Sequence, residues 1–338
     1  MENTKITYIL GAGASFNCIP IVKNFSEDMD NIANLINNYI KRIERLVDFP
    51  KLQINPETNK NYILFDYLKD LKNTLESHAS VDTYARILSI RAESNDLRNL
   101  KFALSIYLTI LQLLRKTDNR YEVFLSSVLD EKNGDISLPN NVNFISWNYD
   151  MQLEKSISEI LNYGHHNSHL EILNVFRSPE ENLDDKKPYL IKLNGTASFF
   201  YHWGNRTDLL EYNFAKSDRN GILELLKYSE SIFNNPRVHV PFAFAWESDN
   251  KLVLKNRDLA KDILKETEIL VIIGYSFPVF NRKIDRNLLK DSLRLSKIYL
   301  QNPEANEIQF RLKSLLSREI PIENIFDKNQ FYIPFELL

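Results

Sequence analysis

The strongest constraint on this chain is a set of short, unbroken apolar runs that each stop at a glycine or a polar turn. Ile6–Leu10 stops at Gly11, Val142–Trp147 at Asn148, Tyr189–Leu193 at Asn194-Gly195, and Ile269–Ile273 at Gly274. Runs of this length, rich in β-branched residues and without polar alternation, describe strands covered on both faces. Between them, apolar residues recur at helical spacing, from Tyr149 to about Leu161, over Asn256–Glu266, from Asn281 to about Leu293, and over Ala305–Leu316. Strands alternating with helices predict an α/β fold, a Rossmann-like parallel sheet with helices on both faces. Lys297–Gln301 adds a strand. Phe331–Phe335 reads as an edge strand, because Pro334 lacks the N–H a central ladder needs. Asp218–Phe233 looks helical, and Asn162–Pro188 reads as a polar loop with room for one short strand.

From about Ser26 to Leu129 the pattern changes. Ile32, Leu35, Ile36, Tyr39, Ile40 and Ile43 keep helical spacing, as do Phe102–Leu114 and Tyr121–Leu129. This predicts a mostly helical insertion, about 26–132, within one domain spanning 1–338. Net charge is -3, so no global field draws the chain to nucleic acid or an anionic membrane. Cys18 is the one cysteine, which excludes an internal disulfide and a four-cysteine zinc ribbon. No apolar run approaches the ~20 residues of a membrane helix. The first residues lack the pattern of a signal peptide, so a cytoplasmic location is expected.

Only eight glycines occur in 338 residues, so their positions are informative. Gly11-Ala12-Gly13-Ala14-Ser15 follows the first strand. Small residues there let backbone approach a pyrophosphate, and N–H groups at a helix start favour an anion. A purely structural strand-to-helix turn is the competing explanation. The dehydrogenase fingerprint wants Gly or Ala where Phe16 stands, and an acid at the end of a second strand ~20 residues after the first Gly. Glu27, Asp28 and Asp30 lie instead in a helical pattern. No Gly-Lys-Ser/Thr follows, which argues against a nucleotide triphosphatase.

Four segments, in order, resemble the bacterial sirtuin-like family. Gly11–Ser15 is joined by Ser80-Val81-Asp82-Thr83-Tyr84-Ala85, similar to that family's Ser-Ile-Asp-x-Phe segment. Ser146-Trp147-Asn148-Tyr149-Asp150, with Glu154 beyond, resembles its Thr-x-Asn-Tyr-Asp motif. Val271–Pro278, carrying Gly274, Tyr275 and Ser276 and followed by Asp285, is the fourth segment of the resemblance. The resemblance implies a domain that binds NAD as substrate, cleavage of the nicotinamide–ribose bond, and service as an effector in antiphage defence. It also implies control by a homo-oligomer or by a partner sensor, such as a DNA-translocating ATPase. Membrane and direct nucleic-acid partners are not expected. The zinc module of deacylating sirtuins cannot be made here, which favours NAD hydrolysis.

The family's catalytic base is a His in a Leu-His-Gly segment, and this chain has Leu193-Asn194-Gly195. Asparagine does not titrate and accepts no proton. Asn148 is the leading catalytic candidate, as a ligand of ribose or of the attacking water; capping of the next helix is its alternative. Asn194 orients water or a ribose hydroxyl, or else closes a turn before Gly195. Asp82 and His78 are candidates for a substitute base. Gly11, Ala12, Gly13, Ala14, Ser15, Asn148, Asp150, Gly195, Gly274, Tyr275 and Ser276 form the expected NAD-binding set. No metal site is expected: His165, His166 and His169 read as a solvated loop. Two rivals remain beside the hydrolase: a module that binds NAD or ADP-ribose without turnover, and an ADP-ribosyltransferase.

Overall fold

The structure is a computed structural model. It describes residues 4–20, 31–32, 34, 38, 67–68, 71–74, 77–78, 80–162, 168–176, 183–184, 186–202, 205–208, 225, 229 and 238–337. The expected helix over 218–233 and most of the segment 26–79 therefore lie outside the described residues. Two compact units emerge. The first combines Met1–Asn17, Thr117–Thr196 and Phe242–Leu338, and the second Cys18–Lys116 and Ala197–Pro241.

The first unit is an α/β sandwich. Its strands are β1 (Ile6–Leu10), β4 (Val142–Ser146), β5 (Asn174–Val175), β6 (Tyr189–Lys192), β10 (Ile269–Ile273), β11 (Lys297–Gln301) and β12 (Ile322–Ile325). They form one parallel sheet in the order β12-β11-β10-β1-β4-β6-β5. β1 is central and buried along its whole length. Alternate side chains point to opposite faces. Ile6, Tyr8 and Leu10 join one core with helices α3 (Asn119–Val128) and α4 (Gln152–Leu161). Ile9 joins the other core, built on α5 (Lys251–Glu266), α6 (Arg282–Leu289) and α7 (Ala305–Lys313). Two covered faces explain why the strands read as unbroken apolar runs. Each fully buried side chain of this size stabilises the fold by about 1.5–3 kcal/mol. The polar member of β1, Thr7, is buried but hydrogen-bonded to the Thr267 hydroxyl at 2.7 Å.

The helices carry their own signals. In α4, Leu153, Ile157 and Leu161 are buried at intervals of four, and Asn162 ends the helix in the left-handed region at φ 47°. In α5, the Asn250 side chain accepts the Val253 N–H, and Val253, Asn256, Ala260 and Leu264 form the buried stripe. A small antiparallel hairpin, β2 (Asp130–Lys132) and β3 (Asp135–Ser137), turns on Asn133-Gly134.

The second unit holds α1 (Val81–Ile90), α2 (Ser94–Leu114) and an antiparallel sheet of β7 (Phe199–His202), β8 (Asn205–Asp208) and β9 (Val238–His239). Ser80 caps α1 by accepting the Thr83 N–H at 3.2 Å. Among the described residues α2 alone is long and apolar enough to cross a bilayer, and it is mostly buried, as a core helix is.

Several expectations shift. Helix α3 and strand β2, which fall within the expected insertion of about 26–132, group with the sheet unit, while 197–241 groups with the second unit. The last strand of the sheet is Ile322–Ile325 rather than Phe331–Phe335, which contains no strand. Phe331 and Tyr332 instead pack against the α3 side of the core.

Candidate functional site

The strand registers align Leu10, Ser146, Lys192, Ile273 and Gln301 in one row at the carboxyl edge of the sheet. Every strand-end motif begins just past this row. The chain leaves β1 toward β4 on one side, and β10 toward β11 on the other. The β1–β10 boundary is therefore the topological switch point, where parallel sheets accept ligands.

Gly11–Ser15 does not open a long helix. Ala12–Ser15 is a single 3-10 turn. Three of its neighbouring amides are already engaged: Gly11 donates to Ile273 O at 2.9 Å, Gly13 to Gly274 O at 2.9 Å, and Ala14 to Gly11 O at 2.8 Å. The glycines serve this closeness. A Cβ on Gly13 would stand 2.8 Å from Gly274 Cα, and one on Gly274 only 2.4 Å from the Gly13 carbonyl carbon. Gly274 also sits at φ 63°. Ala12 is the exposed member of the loop, while Ala14 and Ser15 are buried.

Beneath the loop lies a pair that the sequence did not single out. Arg120, at the start of α3, donates to Gly13 O at 3.0 Å and Ala14 O at 3.1 Å. Its charge is matched by Asp118 at 2.6 Å. Burial works to raise the Asp118 carboxyl, but hydrogen bonds and the charge of Arg120 hold it below its ordinary value. Asp118 also takes the Asn17 amide at 3.1 Å.

Asn148 does not cap the following helix. Its Nδ2 donates to Gly11 O at 2.9 Å and Ser15 Oγ at 3.4 Å, tying the end of β4 to the loop after β1. The N-cap position is Met151, and the first helical N–H, of Gln152, is taken by Asp150 Oδ1 at 3.1 Å. Ser15 shares a hydrogen bond of 3.2 Å with the Tyr121 hydroxyl. Lys192 donates to Asp150 O and pairs with Glu154 at 3.3 Å. Burial pushes both the Asp150 and Glu154 carboxyls up, with the Lys192 charge pulling the other way. Asp150 and Glu154 thus belong to a buried polar layer behind the loop.

Asn194 is held from two sides. Arg257, from α5, donates to Asn194 Oδ1 at 3.0 Å and to Leu193 O, Glu247 O and Phe244 O. Asn194 Nδ2 reaches the Tyr149 hydroxyl at 3.5 Å, and Tyr149 donates to Ala243 O at 3.4 Å. Burial lowers the Arg257 guanidinium from its ordinary value, which still leaves it charged at neutral pH. Gly195 turns the chain at φ 78°.

Tyr275 is buried. Its ring stacks on Trp147, and its hydroxyl donates to Asp285 at 2.9 Å while accepting from Asn281 at 3.0 Å. Burial drives Asp285 up to about 8 against the pull of that hydroxyl. Ser276 is exposed, and its carbonyl accepts from Arg311 at 3.0 Å. Phe277 is buried at φ 53°, a strained conformation for an aromatic residue.

The structure thus brings Gly11–Ser15, Asn148, Asp150, Asn194, Gly195 and Gly274–Ser276 to one edge of the first unit. Asp82 belongs to the second unit, in the first turn of α1, and His78 stacks on Tyr84 there at 5.2 Å. His165 and His166 lie outside the described residues. His169 is buried and bonded to the Ser158 hydroxyl at 3.1 Å, so it is no part of a solvated loop. Sequence reasoning missed Arg120 and Arg257, whose partners are remote in the chain. No family model and no curated protein matches this chain.

Proposed function

We propose that this chain binds NAD at the carboxyl edge of its sheet and hydrolyses the nicotinamide–ribose bond. The observation that carries the reading is that four motif-bearing strand ends, those of β10, β1, β4 and β6, lie side by side along the carboxyl edge that includes the switch point. Water adds to the anomeric carbon, the C–N bond breaks with its electron pair going to nicotinamide, and one proton passes to solvent. Nicotinamide leaves as a neutral molecule from a cationic bond, so no acid is needed to protonate it. Asn148 spends its N–H groups on Gly11 O and Ser15 Oγ, which leaves Oδ1 as the acceptor it offers to a ribose hydroxyl or to water. The resemblance supports a role as an antiphage effector, with NAD loss as the toxic outcome. Under that role an oligomer or a partner sensor, such as a DNA-translocating ATPase, restrains it.

Arg257 gives specific support to a second reading, in which the domain holds NAD or ADP-ribose without turnover. It occupies with hydrogen bonds the side chain that stands where a base is expected. Purified protein incubated with NAD separates the two. Release of nicotinamide and ADP-ribose, reduced about 100-fold or more in Asn148→Ala, supports the hydrolase; the size is that of losing one positioned polar group. Binding by calorimetry without product supports the module, and absence of both removes NAD from the account.

A further inference from the structure

Arg257, Asn194, Tyr149 and Ala243 form a hydrogen-bond chain whose direction is fixed at both ends. A guanidinium only donates, and a backbone carbonyl only accepts. Arg257 must therefore face Oδ1 of Asn194, and the amide N–H must face Tyr149, whose own proton goes to Ala243 O. We infer that Arg257 is a positioning residue that makes position 194 a hydrogen-bond acceptor toward α5, so that no side chain there serves as a general base.

The argument extends beyond asparagine. An imidazole at 194 would have to turn its lone-pair nitrogen to Arg257, leaving its N–H for Tyr149. The adjacent fixed charge would also disfavour protonation of the ring. Among the described residues, the other titratable groups facing this position are Tyr149 and Glu247. Glu247 takes the Phe244 N–H at 2.6 Å with its carboxylate and an Arg257 N–H with its carbonyl. The Lys192 ammonium is directed to Asp150 and Glu154. Replacing Asn194 by histidine alone would therefore not restore a base. For its catalytic meaning the inference rests on the hydrolase reading: cleavage then proceeds by orienting water, and its rate is level across the histidine range.

The test is a histidine titration by NMR in Asn194→His and in Asn194→His combined with Arg257→Gln. The introduced imidazole is expected to titrate at least about one unit below its ordinary ~6.5 in the first, and to return toward that value in the second. Titration at or above the ordinary value in Asn194→His overturns the inference. Asn194→Asp gives an independent arm should the imidazole disturb folding. A carboxylate accepting from Arg257 should melt at or above the wild-type temperature at pH 7 and lose that margin as pH falls through the carboxylate range. Melting well below wild type at pH 7 overturns the inference. NAD cleavage by the unaltered protein should be level from pH 6 to 7, below the titration of Asp285, and a limb in that window also counts against it. If no variant cleaves NAD while the imidazole is depressed, the hydrolase reading fails and the role of Arg257 stands.

Discussion

At the scale of single residues, the candidate site is held by charges buried behind it. Asp285 shows how this couples to pH. Its folded value of about 8 lies above that of an unfolded aspartate, ~3.9, so between those limits the folded chain binds the extra proton. Stability must then fall as pH rises through that window, by up to about 1.4 kcal/mol per pH unit. Asp285→Asn keeps an acceptor for Tyr275 and removes the titration. The difference in unfolding free energy between it and the wild type, followed by denaturant melts from pH 5 to 8, should move steadily in favour of the variant. A constant difference would mean that Asp285 is ionised in the folded state. Arg120→Met makes the opposite kind of change, leaving Asp118 buried without its cation and the Gly13 and Ala14 carbonyls without a donor. A loss of about 3–5 kcal/mol is expected from equilibrium unfolding. Asn148 and Asn194 were legible in the sequence because each closes an apolar run. Arg120 and Arg257 were not, because an arginine in a helix looks alike whether it points to solvent or to a loop a hundred residues away.

At the scale of elements, strand ends matter more than strand interiors. The loops after β1 and β10 approach so closely that Gly13 and Gly274 leave no room for side chains. Gly274→Ala meets both a clash with Gly13 backbone and a left-handed φ, so it should cost more than about 2 kcal/mol and disturb any ligand site at the switch point. Gly134→Ala is the control. That glycine also has a left-handed φ, 87°, but nothing lies within 4 Å of an added Cβ. Strain alone, about 1–2 kcal/mol, should be lost there, with ligand binding unchanged. Equal losses in the two variants, measured by thermal and denaturant melts, would show that loop contact adds nothing to conformation. The same contrast explains which elements could be read beforehand. Strands β1, β4, β6 and β10 are covered on both faces and announce themselves as apolar runs. Strand β12, Ile322-Glu323-Asn324-Ile325, lies at the sheet edge with partly exposed residues, so burial did not shape its sequence into a run. The β2–β3 hairpin is equally polar, yet its Asn133-Gly134 pair, both at positive φ, is a turn signal the sequence did contain.

At the scale of the whole molecule, neither unit is a continuous stretch of chain. The path leaves the sheet unit after Asn17 and again after Thr196, each time just beyond a motif-bearing strand end. Local sequence patterns say little about this, because grouping by contact depends on residues far apart in the chain, such as 18–116 and 197–241. Within the sheet unit, however, order predicts relative stability. β1 is paired on both sides, with β4 and β10, and is buried throughout, whereas β12 has one partner and half-exposed side chains. Opening β1 requires both core faces to part, which is close to global unfolding; releasing β12 requires its contacts with β11 and α7 to be lost, with the partly buried Ile322 and Ile325 at the margins of the cores. Amide hydrogen exchange should therefore be slowest over Ile6–Leu10 and Ile269–Ile273, and at least about 100-fold faster over Ile322–Ile325. Protection of β12 equal to that of β1 would mean that the edge opens only with the whole sheet. The unit would then unfold as one cooperative block, without a separately fraying edge.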